Sequence, residues 1–90
     1  MSFIIIDQIF VDEKFNKSTL RKKCESNLVP SVGMELEDAV WEKPKKIKKV
    51  NINVDKNYYL IFVEDEFVTK STSAKIIESY KKQGWGDVGE

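Results

Sequence analysis

The sequence predicts a single small α+β domain over residues 1–85, built on a strongly bent antiparallel sheet of about four or five strands, with a flexible tail at 86–90. The 90 residues are 41% hydrophobic and 33% charged and include only two prolines and four glycines, which is typical of a globular chain with one core. Long β-branched and aromatic segments indicate the strands, and one C-terminal stretch has helical periodicity. A closed SH3-like barrel with the same C-terminal helix is the alternative.

The first segment, Phe3 to Val11, is apolar on both parities of a strand. Because successive side chains of a strand point to opposite faces of the sheet, this pattern favours a strand that is covered on two faces. Asp7 and Gln8 interrupt both apolar rows together. They indicate a bulge, a bend or a place where polar groups are needed.

A short helix is expected near residues 18–27. Ser18 is suited to the N-cap, and Leu20, Cys24 and Leu28 follow at four-residue spacing, so that they share one stripe of a helix. An irregular segment held by Leu20 and Leu28 would suit the same residues. In the helical interpretation Cys24 is an inert buried thiol rather than a reactive one.

Turn residues come before the central strands. Pro30 stops a helix and Gly33 permits a positive φ angle, so a turn is expected there. Apolar and charged residues then alternate from Met34 to Trp41, which predicts a half-exposed strand. The polar residues 42–46 include a proline and predict a loop.

A hairpin is predicted next. The segment 47–54 alternates, and the turn-rich residues 55–57 connect it to the apolar segment 58–63, which is the best candidate for a central strand. A brief further strand is expected at 67–69. Three residues of the first hairpin strand are expected to point inward, namely Val50, Ile52 and Val54.

The C-terminal helix is expected near residues 73–83, where apolar residues recur on one face. Gly84 is suited to the left-handed position just beyond the helix. Trp85 would then pack back on Tyr80 in a Schellman-type cap.

The residue types that are missing argue against an enzyme. The chain has no histidine and a single cysteine, Cys24. Serine-histidine and cysteine-histidine nucleophile pairs, histidine-bearing zinc sites and internal disulfides are therefore excluded. The acidic clusters at 35–38 and 64–66 lack the spacing of a calcium loop. We expect no catalytic residue, no metal and no cofactor.

Charge and hydropathy predict a cytoplasmic protein that does not contact membranes. Fifteen Lys and Arg residues balance fifteen Asp and Glu residues, so no global field attracts nucleic acid or an anionic membrane. The longest apolar runs, residues 3–6 and 58–63, are far shorter than the roughly 20 residues of a membrane helix. Met1-Ser2 is not the charged start of a signal peptide.

Aromatic content favours a binding function. Five Phe, three Tyr and two Trp residues exceed what one core of this size comfortably hides, and Trp and Tyr dominate interface hot spots. The sequence therefore predicts a non-enzymatic protein-binding module that forms a homo-oligomer, with no other partner specified. A small barrel that hides these rings internally is the competing interpretation. The predicted protein-binding residues are Trp41, Tyr58, Tyr59 and Trp85.

The alternative function is nucleic-acid or nucleotide binding. Lysines beside an aromatic ring are suited to a phosphate backbone and its bases. The same lysines would also protect an edge strand from pairing with other chains. The residues of this alternative are Trp41, Lys43, Lys45, Lys46, Lys48 and Lys49.

The middle of the chain resembles a group of small phage proteins. Residues 28–34, LVPSVGM, lead through Trp41 to residues 50–52, VNI. This stretch is similar to small uncharacterised proteins of phage and prophage genomes, in which a VP-x-x-G turn opens a compact β-barrel. The resemblance implies a mobile-element accessory protein that works by binding and blocking a host protein. It assigns no functional residue to this chain.

Overall fold

The computed structural model describes residues 2–88, which form seven β-strands and one α-helix. In chain order the elements are β1 (Ser2–Val11), β2 (Lys17–Ser26), β3 (Glu35–Leu36), β4 (Lys45–Asn53), β5 (Tyr58–Val63), β6 (Glu66–Phe67), α1 (Ser73–Lys82) and β7 (Gly86–Asp87).

All seven strands belong to one mixed sheet, in the order β3-β4-β5-β1-β2-β7, and β6 pairs with the end of β1. The β1–β2 and β4–β5 pairs are antiparallel, whereas β1 and β5 are parallel. Strands β3 and β7 lie at opposite ends of this order. The sheet is therefore open, and the strands do not close into the barrel of the alternative prediction.

The parallel pair at the centre corrects the prediction of an antiparallel sheet. Strand β2 lies on one side of β1, and the β4–β5 hairpin lies on the other. Because β2 and β4 are each antiparallel to one member of the parallel pair, they run in the same direction. Residues 27–44, which we call the crossover, must therefore return along the sheet. Local sequence patterns do not encode such a return.

The helix expected near residues 18–27 is wrong, because β2 occupies this segment as a strand of ten residues. All ten pair with residues of β1. The predicted helical stripe is divided, since Leu20 is buried whereas Cys24 and Leu28 are exposed. A narrow stripe gives a short helix little stability, so pairing along a full neighbouring strand outweighs it. The expectation of a buried thiol is wrong for the same reason.

The strand expected from Met34 to Trp41 is much shorter, because β3 contains only two residues. Asp38 turns the chain just beyond it. Its carbonyl accepts the N–H of Trp41 at 3.0 Å, and its carboxylate accepts the N–H of Val40 at 3.2 Å. Aspartate favours such turns because its carboxylate can accept the backbone N–H two residues further along the chain.

The predicted flexible tail is partly ordered. Residues 86 and 87 form β7, which pairs antiparallel with Leu20 and Arg21 of β2. The last two positions of the predicted tail, 89–90, lie outside the described residues.

The hairpin and the C-terminal helix are confirmed. Strands β4 and β5 pair antiparallel, and α1 begins and ends within one residue of the predicted bounds. The helix ends in a Schellman motif, because Trp85 donates its N–H to the carbonyl of Tyr80 and Gly84 donates to the carbonyl of Lys81, with Gly84 at φ +94°. No helix among residues 2–88 is long and apolar enough to span a membrane.

The hydrophobic core lies on one face of the sheet, which we call the core face. Helix α1 brings Tyr80 to this face, and the crossover brings Trp41. The Tyr80 ring packs edge-on against Phe10, with 4.9 Å between centroids, and against Trp85, with 5.3 Å. The buried apolar residues of this cluster are Ile4, Ile6, Phe10, Leu20, Trp41, Ile47, Ile61, Val63, Val68, Tyr80 and Trp85.

The opposite face of the sheet, which we call the open face, has no covering layer among the described residues. Helix α1 and the crossover both pack on the core face. Phe3 and Ile5 of β1 therefore share the open face with Leu60 and Phe62 of β5, and all four side chains are half-buried. The sequence predicted cover on both faces of β1, and the fold supplies it on one.

Tyr80 also joins a chain of internal hydrogen bonds. Its hydroxyl accepts Nε1–H of Trp41 at 3.0 Å and donates to Oε1 of Glu66 at 2.5 Å. Lys45 Nζ donates to the same carboxylate at 3.1 Å and to Oε1 of Gln8 at 2.8 Å. Burial, reinforced by the bond to Glu66, raises the pKa of Tyr80 above its usual range. The hydroxyl therefore remains a donor to the carboxylate.

We expect Tyr80→Phe to lower the free energy of unfolding by about 1–3 kcal/mol, because it leaves the Trp41 N–H without an acceptor and removes one of the two donors to the Glu66 carboxylate. Urea denaturation at neutral pH measures the change. Tyr59→Phe is the matched control, since Tyr59 packs against the core but its hydroxyl makes no hydrogen bond within residues 2–88. Equal losses in the two variants would contradict a structural role for the Tyr80 hydroxyl.

Candidate functional site

The two tryptophans predicted to bind protein lie in the core. Trp41 is 9% exposed and Trp85 is 3% exposed, and their ring centroids are 5.8 Å apart. Each indole N–H is used internally, by the hydroxyl of Tyr80 for Trp41 and by the Asp38 carboxylate for Trp85. Most of the surface of both rings is buried within the fold, so little of either ring is accessible to a partner.

The two predicted tyrosines point to opposite faces of the sheet, because they are neighbours on β5. Tyr59 packs against the core cluster. Tyr58 lies on the open face, where its hydroxyl accepts Nδ2–H of Asn53 at 3.2 Å. The four predicted protein-binding residues therefore do not form one surface.

The basic stretch is also divided. Lys45 points inward, with Nζ 5.6 Å from the ring centroid of Trp41 and bonded to Gln8 and Glu66. Lys48 pairs with Asp65 at 3.0 Å. Lys49 lies on the open face, opposite Phe62. Lys43 and Lys46 are exposed. A register shift between residues 47 and 49 changes the direction in which the side chains on either side of it point. The lysines and Trp41 are therefore not one binding patch.

The polar pair in β1 is explained by internal contacts. Asp7 is buried and accepts two hydrogen bonds from Arg21, at 2.7 and 3.0 Å. Gln8 is fully buried and bonds to Lys45 and to the carbonyl of Glu64. Paired in this way, both side chains can interrupt an apolar strand without a large desolvation penalty.

In the cleft beside the basic stretch, the three acidic residues 64–66 are already bound within the fold. The cleft has a volume of about 630 Å³ and runs between residues 40–45 and 64–66. Glu64 accepts the N–H of Lys46, Asp65 pairs with Lys48, and Glu66 bonds to Tyr80. Within residues 2–88, no group of three or more acidic or thiol side chains is placed to hold a metal ion.

The second cleft is apolar and lies under the crossover. It has a volume of about 310 Å³, and its floor is formed by Ile4, Ile6 and Ile61 of the two central strands. Pro30 and Leu36 of the crossover line its wall. Helix α1 and Trp41 cover only part of the core face. The part of the sheet that they leave uncovered lies beside the crossover.

Exposed apolar side chains cluster in the crossover beside this cleft, and two of them, Leu28 and Met34, line it. Leu28 is 69% exposed, Val29 and Val32 are 66% exposed, and Met34 is 40% exposed. These four are among nine large exposed hydrophobic residues of the described chain, yet they fall within seven consecutive positions. Single exposed hydrophobics are ordinary, whereas a cluster beside an apolar cleft marks an interaction surface.

One wall of the apolar cleft is the outer edge of β2. Strand β7 pairs with β2 only at Leu20 and Arg21, so residues 22–26 have no strand on their outer side within the described chain. Cys24 and Ser26 of this edge line the cleft. The Cys24 thiol donates to the carbonyl of Ile4 at 3.6 Å, and partial burial raises its pKa, which disfavours the reactive thiolate.

An ion pair closes one end of the apolar cleft. The Asp38 carboxylate accepts three hydrogen bonds, from Nζ of Lys22 at 2.7 Å, from the backbone N–H of Val40 and from Nε1–H of Trp85. Burial by itself would raise the pKa of Asp38, but these hydrogen bonds outweigh burial and lower it below its ordinary value. Asp38 thus fixes the crossover to β2 and to the core.

The sequence carries a signal for this surface in the same residues that predict a turn. Residues 28–34 place four large apolar side chains around Pro30 and Gly33, in a segment that the turn residues keep out of any long strand. Apolar residues in a turn have no core face to point to, so their exposure could be expected. The unpaired edge of β2 could not be expected, because the segment was predicted to be a helix.

We expect Asp38→Asn to lower the free energy of unfolding by about 1–3 kcal/mol at pH 7, because it weakens charge-assisted bonds. A carboxyl group with a lowered pKa stabilises the fold above its unfolded pKa of about 3.9 and loses this effect as pH falls through the folded value. The difference between wild type and variant should therefore shrink between about pH 5 and pH 3. Chemical denaturation across this range measures it.

Asp55→Asn is the matched control for that series. Asp55 is exposed, and its carboxylate accepts no hydrogen bond and forms no ion pair among residues 2–88. Its variant should show no comparable loss at pH 7. A difference between wild type and Asp38→Asn that grows on acidification would contradict the assigned role of Asp38.

Comparison of the chain with protein-family models, with curated proteins and with solved structures finds no match.

Proposed function

We propose that the chain is a non-catalytic protein-binding module whose contact surface is the apolar cleft together with its exposed rim. The observation that carries this proposal is that Leu28 and Met34, both exposed, line a cleft whose floor is apolar, with Val29 and Val32 exposed close by in the chain. Burying a large apolar side chain contributes about 1.5–3 kcal/mol, so the rim alone can supply a useful part of a binding free energy.

The partner is an extended protein segment with an apolar anchor. The unpaired outer edge at residues 22–26 offers backbone groups to an added strand, and alternate side chains of that strand would point toward the cleft. In this mode main-chain hydrogen bonds give affinity, and the cleft selects the anchor.

Charge at the cleft favours a basic residue next to that anchor. Glu37 lines the cleft and is exposed, and it has no cationic partner within the described residues. Lys22, the cation nearest to it in the lining, is already paired with Asp38. Lysine or arginine beside the anchor would therefore find an unused carboxylate.

A binding role agrees with how the polar groups are used. Glu66, Tyr80, Gln8 and Lys45 satisfy one another, so they stabilise the fold and are not free to take part in chemistry. The absence of histidine from the sequence removes the commonest general base. Assignment to a phage or other mobile element stays a prediction of the sequence.

The test is selection of peptides from a displayed random library against the immobilised protein. We expect enriched peptides to carry apolar residues at alternate positions together with Lys or Arg. Leu28→Asp should weaken binding of a selected synthetic peptide by about ten-fold or more, because it removes a rim side chain and adds a charge beside the cleft. Isothermal titration calorimetry measures the affinities.

Val54→Asp is the control, since Val54 is also exposed and apolar but lies in the turn after β4. It should bind the peptide as wild type does. Light scattering of both variants tests the homo-oligomer that the sequence predicted, and whether a second copy of the chain occupies this cleft. Peptides that bind Leu28→Asp as tightly as wild type would place the binding surface elsewhere.

A further inference from the structure

The open face of the sheet presents aromatic rings in register. Tyr58 and Phe3 are cross-strand neighbours, as are Leu60 and Ile5 in the next row. Phe62 follows in the third row, opposite Asp7. The first and third rows are four strand residues apart, or about 13 Å. Aromatic rings therefore lie at both ends of a short apolar row, which we call the aromatic track and which consists of Phe3, Ile5, Tyr58, Leu60 and Phe62.

Two lysines lie over these rings. Lys23 Nζ is 4.1 Å from the ring centroid of Phe3, and Lys49 Nζ is 5.7 Å from that of Phe62. Lys23 projects from β2 and Lys49 from β4, so they approach the track from opposite sides. Neither lysine has a carboxylate partner within 4.0 Å among residues 2–88. Cation-π contacts at exposed sites are weak, about 0.5–1 kcal/mol, so both lysines can leave the rings for an anion.

The open face is more basic than the chain as a whole. The strand register places Lys17, Arg21, Lys23, Lys46 and Lys49 on this face, against the carboxylates Asp7, Glu25 and Glu35. Asp7 is already neutralised by Arg21. The whole chain has no net charge, so the excess of cations is a property of this face.

A cleft lies on each side of the aromatic track. One, of about 410 Å³, is lined by Tyr58, Leu60, Asn51 and Asn53, together with Ile52, Val54 and Asp55 of the hairpin end. The Asn53 amide is bonded to Tyr58 and Lys56, which leaves that of Asn51 for a ligand. The other, of about 390 Å³, is lined by Arg21 and Lys23. Gly84, Gly86 and Ile5 also line this second cleft, together with Asp87, which pairs with Lys81. Amides beside a ring suit the edge of a base, and cations beside glycines suit a phosphate.

We propose that the open face binds single-stranded nucleic acid, with bases stacked on Phe3, Tyr58 and Phe62 and phosphates held by Lys23 and Lys49. Sheets that bind single strands combine aromatic platforms with flanking cations in this way, and a track of this length takes about two or three bases. A duplex hides the faces of its bases and cannot use the rings. A second copy of the chain is less suited to this face, because it would bring two basic surfaces together.

This surface differs from the protein-binding cleft, which lies on the core face under the crossover. The predicted nucleic-acid site centred on Trp41 is not the one proposed, since only Lys49 belongs to both. The two proposals can therefore fail separately.

The test is fluorescence anisotropy with labelled oligothymidine and oligouridine of equal length, and with a duplex of the same length. We expect both single strands to bind more tightly than the duplex, with a slope of log affinity against log salt of about −1.4 for two lysine-phosphate contacts. Lys23→Gln should reduce this slope by about 0.7. Lys75→Gln on α1 removes the same charge from the opposite side of the sheet and should leave the slope unchanged.

The contribution of stacking is tested by Phe62→Leu, which keeps an apolar residue but removes the ring. We expect oligothymidine to bind about ten-fold more weakly to this variant, whereas an abasic oligonucleotide of equal charge should bind wild type and variant alike. Phe15→Leu, in the exposed turn between β1 and β2, is the aromatic control. Circular dichroism confirms that each variant is folded before its affinity is compared.

Three results would overturn the proposal. One is no anisotropy change up to about 100 μM protein at low salt, the weak end of non-specific affinities. Another is an equal loss of binding in Lys23→Gln and Lys75→Gln. The third is a concentration-dependent dimer in light scattering that Phe62→Leu abolishes without any effect on oligonucleotide binding, because the open face would then be an interface between copies.

Discussion

The parallel pairing of β1 with β5 is the constraint on which the rest of the structure depends. It places β1 between β2 and β5, so that alternate residues of β1 point to the two faces of the sheet. It also forces residues 27–44 to return along the sheet, and these residues bring Trp41 onto the core face. Helix α1 completes the same layer through Tyr80. The opposite face is left without a layer because the chain has no second helix among its described residues.

Polar groups in the core reinforce this arrangement. Tyr80 links the helix to Trp41 of the crossover and to Glu66 beside β1, and Asp38 links the crossover to β2 and to Trp85. A buried polar group is expensive unless it is paired, so each of these bonds also penalises other arrangements of the same segments. Trp41 and Trp85, which the sequence predicted to bind protein, are among the residues that hold the layers together.

The two proposed binding surfaces follow from what these layers leave uncovered. On the core face, the crossover leaves an apolar cleft and exposes Leu28 and Met34 at its mouth. On the open face, Lys23 and Lys49 lie over the rings of Phe3 and Phe62. One surface is apolar with an unused carboxylate, and the other is aromatic with unused cations. They are therefore suited to ligands of different chemistry.

The sequence by itself determined the elements whose signals are local. These are the β4–β5 hairpin, with its alternation and turn residues, and helix α1, whose Schellman cap requires only Gly84 and an apolar residue at 85. Tertiary structure alone decided β2, since a marginal helical stripe cannot compete with ten residues of strand pairing. It also decided which aromatics are buried, because burial of Trp41 and Trp85 depends on the path of the crossover and on the side of the sheet to which α1 packs. Contacts between residues far apart in the chain have no local pattern, so the unpaired edge of β2 and the uncovered open face, on which the two proposed surfaces depend, were decided by the tertiary structure.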